Sequence, residues 1–112
     1  MKLVWLIFVV GVFYSGQISI SQAQILVLHR LATGLDRPSH AVQAPGDSDG
    51  LYVIEQRAGR IVRIDLASSS TSVVAAFSGF DETIEGGVHT MAFHPQFEQN
   101  RRFYVAWLED GG

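Results

Sequence analysis

The amino-acid sequence predicts an all-β protein built from antiparallel strands. After residue 23, short apolar runs recur along the chain, and glycine, proline, aspartate or serine separates each run from the next. Apolar residues at helical spacing are nearly absent from that part of the chain. In Arg60–Leu66, apolar Val62 and Ile64 alternate with charged Arg63 and Asp65, which is the period of a half-buried strand. These three observations favour a meander of short strands joined by tight turns.

The first 23 residues have the organisation of a secretory signal peptide. Lys2 provides the positive start, Leu3–Tyr14 is apolar almost throughout, and Ser21-Gln22-Ala23 places small residues where signal peptidase cleaves. The alternative is a membrane anchor, but a spanning helix needs about 20 predominantly apolar residues and this run is shorter. We therefore predict cleavage after Ala23, a secreted or periplasmic product, and no stable membrane span in residues 24–112.

Five apolar runs make up the first group of predicted strands. Each is bounded by turn-forming residues, which are most concentrated in Pro45–Gly50. Gly59 occupies the hairpin-loop position at which glycine usually has a positive φ. The predicted strands are, in order, Val27–Leu31, Ser39–Gln43, Leu51–Gln56, Arg60–Leu66 and Val73–Phe77.

Two more strands follow the acidic loop Ser78–Gly87. Val88–Phe93 is predicted to lead through a His-Pro corner into Phe103–Leu108. Both faces of Phe103–Leu108 are apolar, and such a strand is typically buried between two layers. Since this strand leaves a hydrophobic edge open, we expect the isolated 112-residue chain to fold poorly.

Charge and cysteine content exclude several classes of protein. The formal net charge is −3 at pH 7 and the basic residues form no stripe, so nucleic acid is not a predicted partner. The sequence contains no cysteine, so disulfides do not stabilise what is at most one small domain with a thin core. The serines of Ser68–Ser70 lack a nucleophile elbow, and no phosphate-binding glycine loop is present. We assign no catalytic residue within this chain.

Glu85-Gly86-Gly87 is the first candidate for a ligand-binding role. Adjacent glycines permit a sharp turn, or a close approach of the backbone to a ligand, because no Cβ intervenes. The Glu85 carboxylate beside them is able to accept a proton or bind a cation. The alternative is an exposed acid in a flexible loop.

Two histidines are further candidates for cofactor contact. His89 follows the glycines, and it either reaches the site or packs against its neighbours. His40 lies near the start of a predicted inner strand, where it either faces a central channel or is structural. His94 precedes a proline, which restricts it to extended geometry, and we expect it to bond a backbone group at the corner.

Two groups of residues contain metal-binding side chains, but the spacing of neither group fits a metal site. On an extended strand His89 and His94 are an odd number of positions apart and point to opposite faces, so they do not converge with Glu85. Asp47-Ser48-Asp49-Gly50 has the oxygen ligands and the glycine of a calcium loop, but it is too short and lacks the terminal glutamate. We predict a hairpin turn there and no metal ligands in this chain.

The order of four sequence blocks resembles the start of the soluble glucose/sorbosone dehydrogenase family, the quinoprotein sugar dehydrogenases. The blocks are Gly34–Pro38, Leu51–Ile61, Glu85–Phe97 and Asn100–Val105. The resemblance implies a six-bladed β-propeller, of which residues 24–112 would form the first blade and part of the next. Blades bury one another's faces and close into a ring, which this length of chain does not complete.

The same resemblance implies a chemistry. Family members oxidise a sugar hydroxyl and transfer a hydride to pyrroloquinoline quinone (PQQ), which is held with Ca²⁺ in the channel. An electron acceptor then reoxidises the reduced cofactor to the quinone. Glu85 falls where the family has a glutamine facing the quinone, and His89 replaces an aliphatic residue. The family's base histidine and calcium ligands lie in later blades, so the chain alone is expected to be inactive.

Two other functions remain open at the level of sequence, because fold resemblance does not settle activity. One is a non-catalytic secreted propeller with a degenerate quinone site, which the departures at Glu85 and His89 favour. The other is a lactonase-type propeller, which would need metal-binding carboxylates in its channel. Downstream base and quinone-binding residues would distinguish the first from a dehydrogenase, and Ca²⁺-dependent ester hydrolysis would identify the second.

Overall fold

A computed structural model describes residues 24–81, 83 and 85–109 of the chain. The predicted signal peptide therefore lies outside the described residues. Within them the chain forms two antiparallel sheets and one short helix. The elements are β1 (Pro38–Val42), β2 (Gly50–Glu55), β3 (Arg60–Asp65), β4 (Thr71–Ala76), β5 (Gly87–Phe93), α1 (Phe97–Asn100) and β6 (Phe103–Leu108).

The first sheet is a simple meander, since its four strands pair in the order β1-β2-β3-β4. The predicted β2–β3 hairpin is confirmed: Glu55 pairs with Arg60, and Gly59 has a φ of 65°. The second sheet consists of β5 and β6. This all-β antiparallel arrangement is the one predicted from the sequence, with the strand order of one complete blade and the start of another.

Both faces of the first sheet are apolar. On one face, fully buried Ile54 and Ile61 pack with Val88 and Met91 of β5, which joins the two sheets into one core. On the other face, Val53, Val62 and Ile64 form a second cluster against Ala32 and Leu35. The alternation predicted for β3 is thus present, and Ile61 and Val62 are both buried because they face opposite sides of a sheet that is covered on both faces.

The predicted strand Val27–Leu31 is wrong. These residues have no regular secondary structure, and the side chains of Val27 and Leu28, like those of the preceding Ile25 and Leu26, are 66–90% exposed. A strand needs the backbone of a neighbour to hydrogen-bond, and none of the described strands pairs with this segment. An apolar run by itself does not provide that partner.

The prediction that β6 is buried on both faces is also wrong. Phe103 and Val105 pack against the core, but Tyr104 is 57% exposed, Trp107 41% and Leu108 49%. Tyr104 and Leu108 lie on the outer face, which no other described element covers, whereas Trp107 is exposed on the opposite face, near the end of the strand. Both faces are apolar as the sequence indicated, but among the described residues of β6 only Phe103 and Val105 are partly buried.

The helix α1 was not anticipated, because its four residues are too few to show a helical period. It ends where Arg101 adopts a left-handed conformation with φ 54° and donates its backbone N–H to the Phe97 carbonyl at 2.8 Å. Within the described residues, no helix is long and apolar enough to cross a membrane.

The acidic segment before β2 forms a turn, as predicted. Both Asp47 carboxylate oxygens accept hydrogen bonds from Arg63, each at 2.7 Å, and Oδ2 also accepts one from the Tyr52 hydroxyl at 2.9 Å. Asp47 thereby joins the turn to β2 and β3, and its oxygens are already occupied. A bidentate arginine contact of this kind is among the stronger side-chain interactions.

This contact predicts an acid-sensitive contribution to stability. The hydrogen bonds from Arg63 hold the pKa of Asp47 at about 2, below the usual 3.8. A carboxyl whose folded pKa is lowered stabilises the fold above its unfolded pKa, and that contribution is lost as the pH falls from about 4 to about 2. Because the pair is partly exposed, we expect a loss of about 1–2 kcal/mol in unfolding free energy over that range.

Urea unfolding of the full-length protein at a series of pH values would measure this loss. In Asp47→Asn the same acid-dependent fall should be absent, while Asp49→Asn, an exposed change in the same turn, should keep it. An unchanged acid dependence in Asp47→Asn would contradict the assignment.

Candidate functional site

The two glycines of Glu85-Gly86-Gly87 are required by close packing of the chain against itself. A Cβ at Gly86 would lie 1.9 Å from the carbonyl oxygen of Asp81. Gly87 has a φ of 96°, and its Cβ would lie 2.3 Å from the carbonyl oxygen of Gln56. The close approach predicted from the sequence is therefore real, but the backbone approached is the chain's own.

Gln56 anchors this glycine segment to the first sheet. Its side-chain Nε2 donates to the Gly86 carbonyl at 2.7 Å, and its own carbonyl accepts the Val88 N–H at 3.1 Å. Its backbone N–H donates to the Arg37 carbonyl at 3.0 Å. One residue at the end of β2 thus contacts both the start of β5 and the segment before β1.

Buried Glu55 fixes the same region from the neighbouring position. Its Oε1 accepts hydrogen bonds from Arg60 Nη2 at 2.6 Å and from the backbone N–H of Asp36 at 3.1 Å. Glu55 is only 2% exposed, and a buried carboxylate of this kind needs such partners. The pair holds the segment Leu35–Pro38, in which Arg37 has a φ of 50°.

Glu85 and His89 lie together at a shallow cavity of about 230 Å³. Its other described lining residues are Ala106, Trp107 and Leu108 from β6. Glu85 and His89 are both exposed to solvent. The cavity therefore combines a carboxylate, an imidazole and an indole with the apolar side chains of Ala106 and Leu108.

A bulge in β5 brings His89 to this cavity. Val88 pairs with Trp107 and Thr90 with Ala106, so His89 is the extra residue between two ladder positions. In an extended strand side chains alternate strictly between the two faces, and the bulge at His89 breaks that alternation. The bulge brings His89 and Glu85 to one cavity, and no sequence pattern indicated it.

His40 and His94 are not among the described residues that line this cavity. His94 accepts the Gln96 N–H at Nδ1 (3.0 Å), which confirms the predicted backbone bond at the corner. His40 is half-buried on β1 opposite Ile54. Its neighbour Ser39 donates from Oγ to the His89 carbonyl at 3.4 Å, so β1 and β5 lie side by side. Among the described residues, no three His, Cys, Asp or Glu side chains form a group that could hold a metal ion.

Two residues of the site were missed from the sequence. Trp107 was interpreted as core, but it lines the cavity and contacts Phe77, with ring centroids 5.7 Å apart. Gln56 is an unremarkable polar residue at a strand end. Its role in the site comes from its hydrogen bond to Gly86, 30 positions further along the chain. No pattern in a single sequence indicates a contact between residues that far apart.

Comparison with known proteins gives one family and one solved structure. The profile of the family described as "Glucose / Sorbosone dehydrogenase" matches residues 35–112. The structure of the PQQ-bound form of aldose sugar dehydrogenase from Streptomyces coelicolor is similar, with a TM-score of 0.67 and 25% sequence identity. The similarity covers 76% of this chain and 25% of that one, so this chain spans about a quarter of the enzyme's length. None of the curated protein sequences matches.

Proposed function

The chain belongs to the glucose/sorbosone dehydrogenase family, and from this we propose that it is the N-terminal portion of a secreted quinoprotein sugar dehydrogenase. The parent protein would oxidise an aldose or sorbosone hydroxyl, with PQQ as the redox cofactor and Ca²⁺ beside it. The observation that carries the proposal is the family match over residues 35–112, which includes the whole Glu85–His89 segment. The PQQ-bound state of the similar Streptomyces enzyme supports the choice of cofactor.

The cavity at Glu85 and His89 does not by itself fit the quinone. PQQ is a planar tricarboxylate, which calls for cationic partners, and no arginine or lysine is among the described residues that line the cavity. The Glu85 carboxylate would instead repel the carboxylates of the quinone. Residues elsewhere in the parent protein would have to supply the charges that bind it.

The same cavity suits a sugar. The carboxylate oxygens of Glu85 can accept hydrogen bonds from hydroxyl groups, and the imidazole of His89 has one ring nitrogen that can donate and one that can accept. The indole of Trp107 offers an apolar surface to the C–H face of a sugar ring. We therefore assign Glu85 and His89 to ligand contact. Gly86 and Gly87 act through the shape of the backbone.

The test is sugar oxidation by the full-length protein supplied with PQQ and Ca²⁺. We expect dye reduction that requires the quinone and an aldose. Replacing Glu85 with alanine should lower kcat/KM by about tenfold or more, because a hydrogen bond to a charged group is lost. Glu98→Ala, which removes an exposed acid on α1, should leave kcat/KM unchanged.

A second candidate is a non-catalytic sugar-binding propeller, and the acid at position 85 favours it. Sugar binding without quinone-dependent dye reduction would support this candidate and contradict the dehydrogenase proposal. Ca²⁺-dependent ester hydrolysis without quinone would point to the lactonase type.

A further inference from the structure

We propose that Gln56 is a positioning residue that holds Glu85 and His89 in place at their cavity. The inference rests on the proposed function only in taking that cavity as the ligand site. Gln56 is not among the described residues that line the cavity, so any effect on ligand binding would pass through the glycine segment.

The side chain of Gln56 contacts the chain immediately after Glu85. Its Nε2 donates to the Gly86 carbonyl at 2.7 Å, which fixes the peptide group between Gly86 and Gly87. The Gln56 carbonyl accepts the Val88 N–H at 3.1 Å, which fixes the next peptide group, between Gly87 and Val88. Glu85 and His89 therefore flank a short segment in which one residue holds two successive peptide groups.

Close packing around Gly86 and Gly87 limits the positions that this segment can adopt. Gly86 and Gly87 have little conformational restraint of their own, because glycine populates many backbone states. The Gln56 carbonyl lies where a Cβ of Gly87 would be, and the backbone of Asp81 blocks the Cβ position of Gly86. Among the described residues, Gln56 is the only one whose side chain donates a hydrogen bond to Gly86 or Gly87, through Nε2.

The first sheet transmits this restraint to a second segment. The backbone N–H of Gln56 donates to the Arg37 carbonyl at 3.0 Å, and the carboxylate of the adjacent Glu55 accepts the backbone N–H of Asp36 at 3.1 Å. The end of β2 thus sets the starts of both β1 and β5, which are the strands that lie side by side through Ser39 and His89. A change at Gln56 should displace the cavity residues while the core of the sheet stays intact.

The experiment compares variants of the full-length protein by amide hydrogen exchange and by dye-linked oxidation with D-glucose as the probe. Gln56→Leu and Gln56→Glu remove the side-chain donor, whereas Gln56→Lys keeps a donor on a side chain of similar reach. Gln43→Leu is the matched control, because the Gln43 amide also donates to backbone carbonyls (Ser48 at 3.0 Å, Gly50 at 3.3 Å) but at the other end of the blade.

We expect Gly87, Val88 and His89 to exchange about three- to tenfold faster in Gln56→Leu and Gln56→Glu, which is the effect of losing one hydrogen bond. The glucose kcat/KM should fall by a similar factor. Gln56→Lys should restore both quantities toward wild type, and Gln43→Leu should change neither beyond its effect on global stability.

Equal exchange rates in Gln56→Leu and Gln43→Leu would overturn the proposal. So would faster exchange with an unaltered kcat/KM in an active enzyme, because the segment would then be held without consequence for the ligand. If the wild-type protein oxidises no sugar, the proposed function fails, and the exchange rates with their rescue by lysine still decide whether Gln56 holds the segment.

Discussion

Replacing Gly87 with alanine is expected to destabilise the full-length protein by about 3 kcal/mol. Two costs combine in this estimate. An L-residue at a φ of 96° is strained, at about 1–2 kcal/mol, and the new Cβ would lie 2.3 Å from the Gln56 carbonyl oxygen. That oxygen belongs to the backbone of the adjacent sheet, so relieving the contact requires β5 to move away from β2. Urea unfolding at neutral pH measures the change in unfolding free energy.

The chain provides a control that separates these two costs. Gly79 has a similar positive φ of 82°, but nothing lies within 4 Å of the Cβ that alanine would add. Gly79→Ala should therefore show the conformational cost alone, about 1 kcal/mol. If Gly87→Ala were no more destabilising than Gly79→Ala, the contact with Gln56 would not be limiting and the two sheets would be less tightly joined than described.

Replacing Arg60 with methionine is expected to cost about 2 kcal/mol. Removing one partner of a fully buried ion pair typically costs about 3–5 kcal/mol, because the remaining charge is left uncompensated. Here the Glu55 side chain is 3% exposed but that of Arg60 is 41% exposed, so water partly screens the pair and the smaller figure applies. Of its hydrogen bonds within the described residues, Glu55 would then keep the one from the backbone N–H of Asp36, at 3.1 Å.

A double-mutant cycle shows whether this cost comes from the unpaired charge. In a Glu55→Gln background the group facing Arg60 is neutral, so Arg60→Met should cost much less there than in the wild type. Arg57→Met alters an exposed arginine of the same hairpin and should change stability by no more than about 0.5 kcal/mol. Equal costs of Arg60→Met in both backgrounds would mean that the arginine stem, and not its charge, is what matters.

Local patterns predicted those parts of the fold whose partners are near in sequence. The hairpin of β2 and β3 followed from alternating residues and from a glycine in the loop, because a tight turn brings the two strands together without outside help. The same holds for the turn at Asp47 and for the backbone bond of His94. Two of the blocks that resemble the family, Leu51–Ile61 and Glu85–Phe97, include this hairpin and the His94 corner.

Features that depend on distant partners were not predictable from the residues alone. Val27–Leu31 has the composition of a strand but no strand pairs with it among the described residues. Tyr104 and Trp107 are residue types typical of a core, but the described elements leave both side chains exposed. Burial is decided by what lies opposite a residue, and composition shows only that burial would be favourable.

The sequence by itself determined the antiparallel all-β class, the β2–β3 hairpin and the glycines at which the chain must turn. It also identified Glu85 and His89 as candidates. Only the tertiary structure decided that they share a cavity with Trp107, because that depends on a bulge in β5 and on the register of β6. Likewise, only the tertiary structure showed the role of Gln56, since a hydrogen bond between residues 30 positions apart forms when two sheets pack and leaves no local pattern.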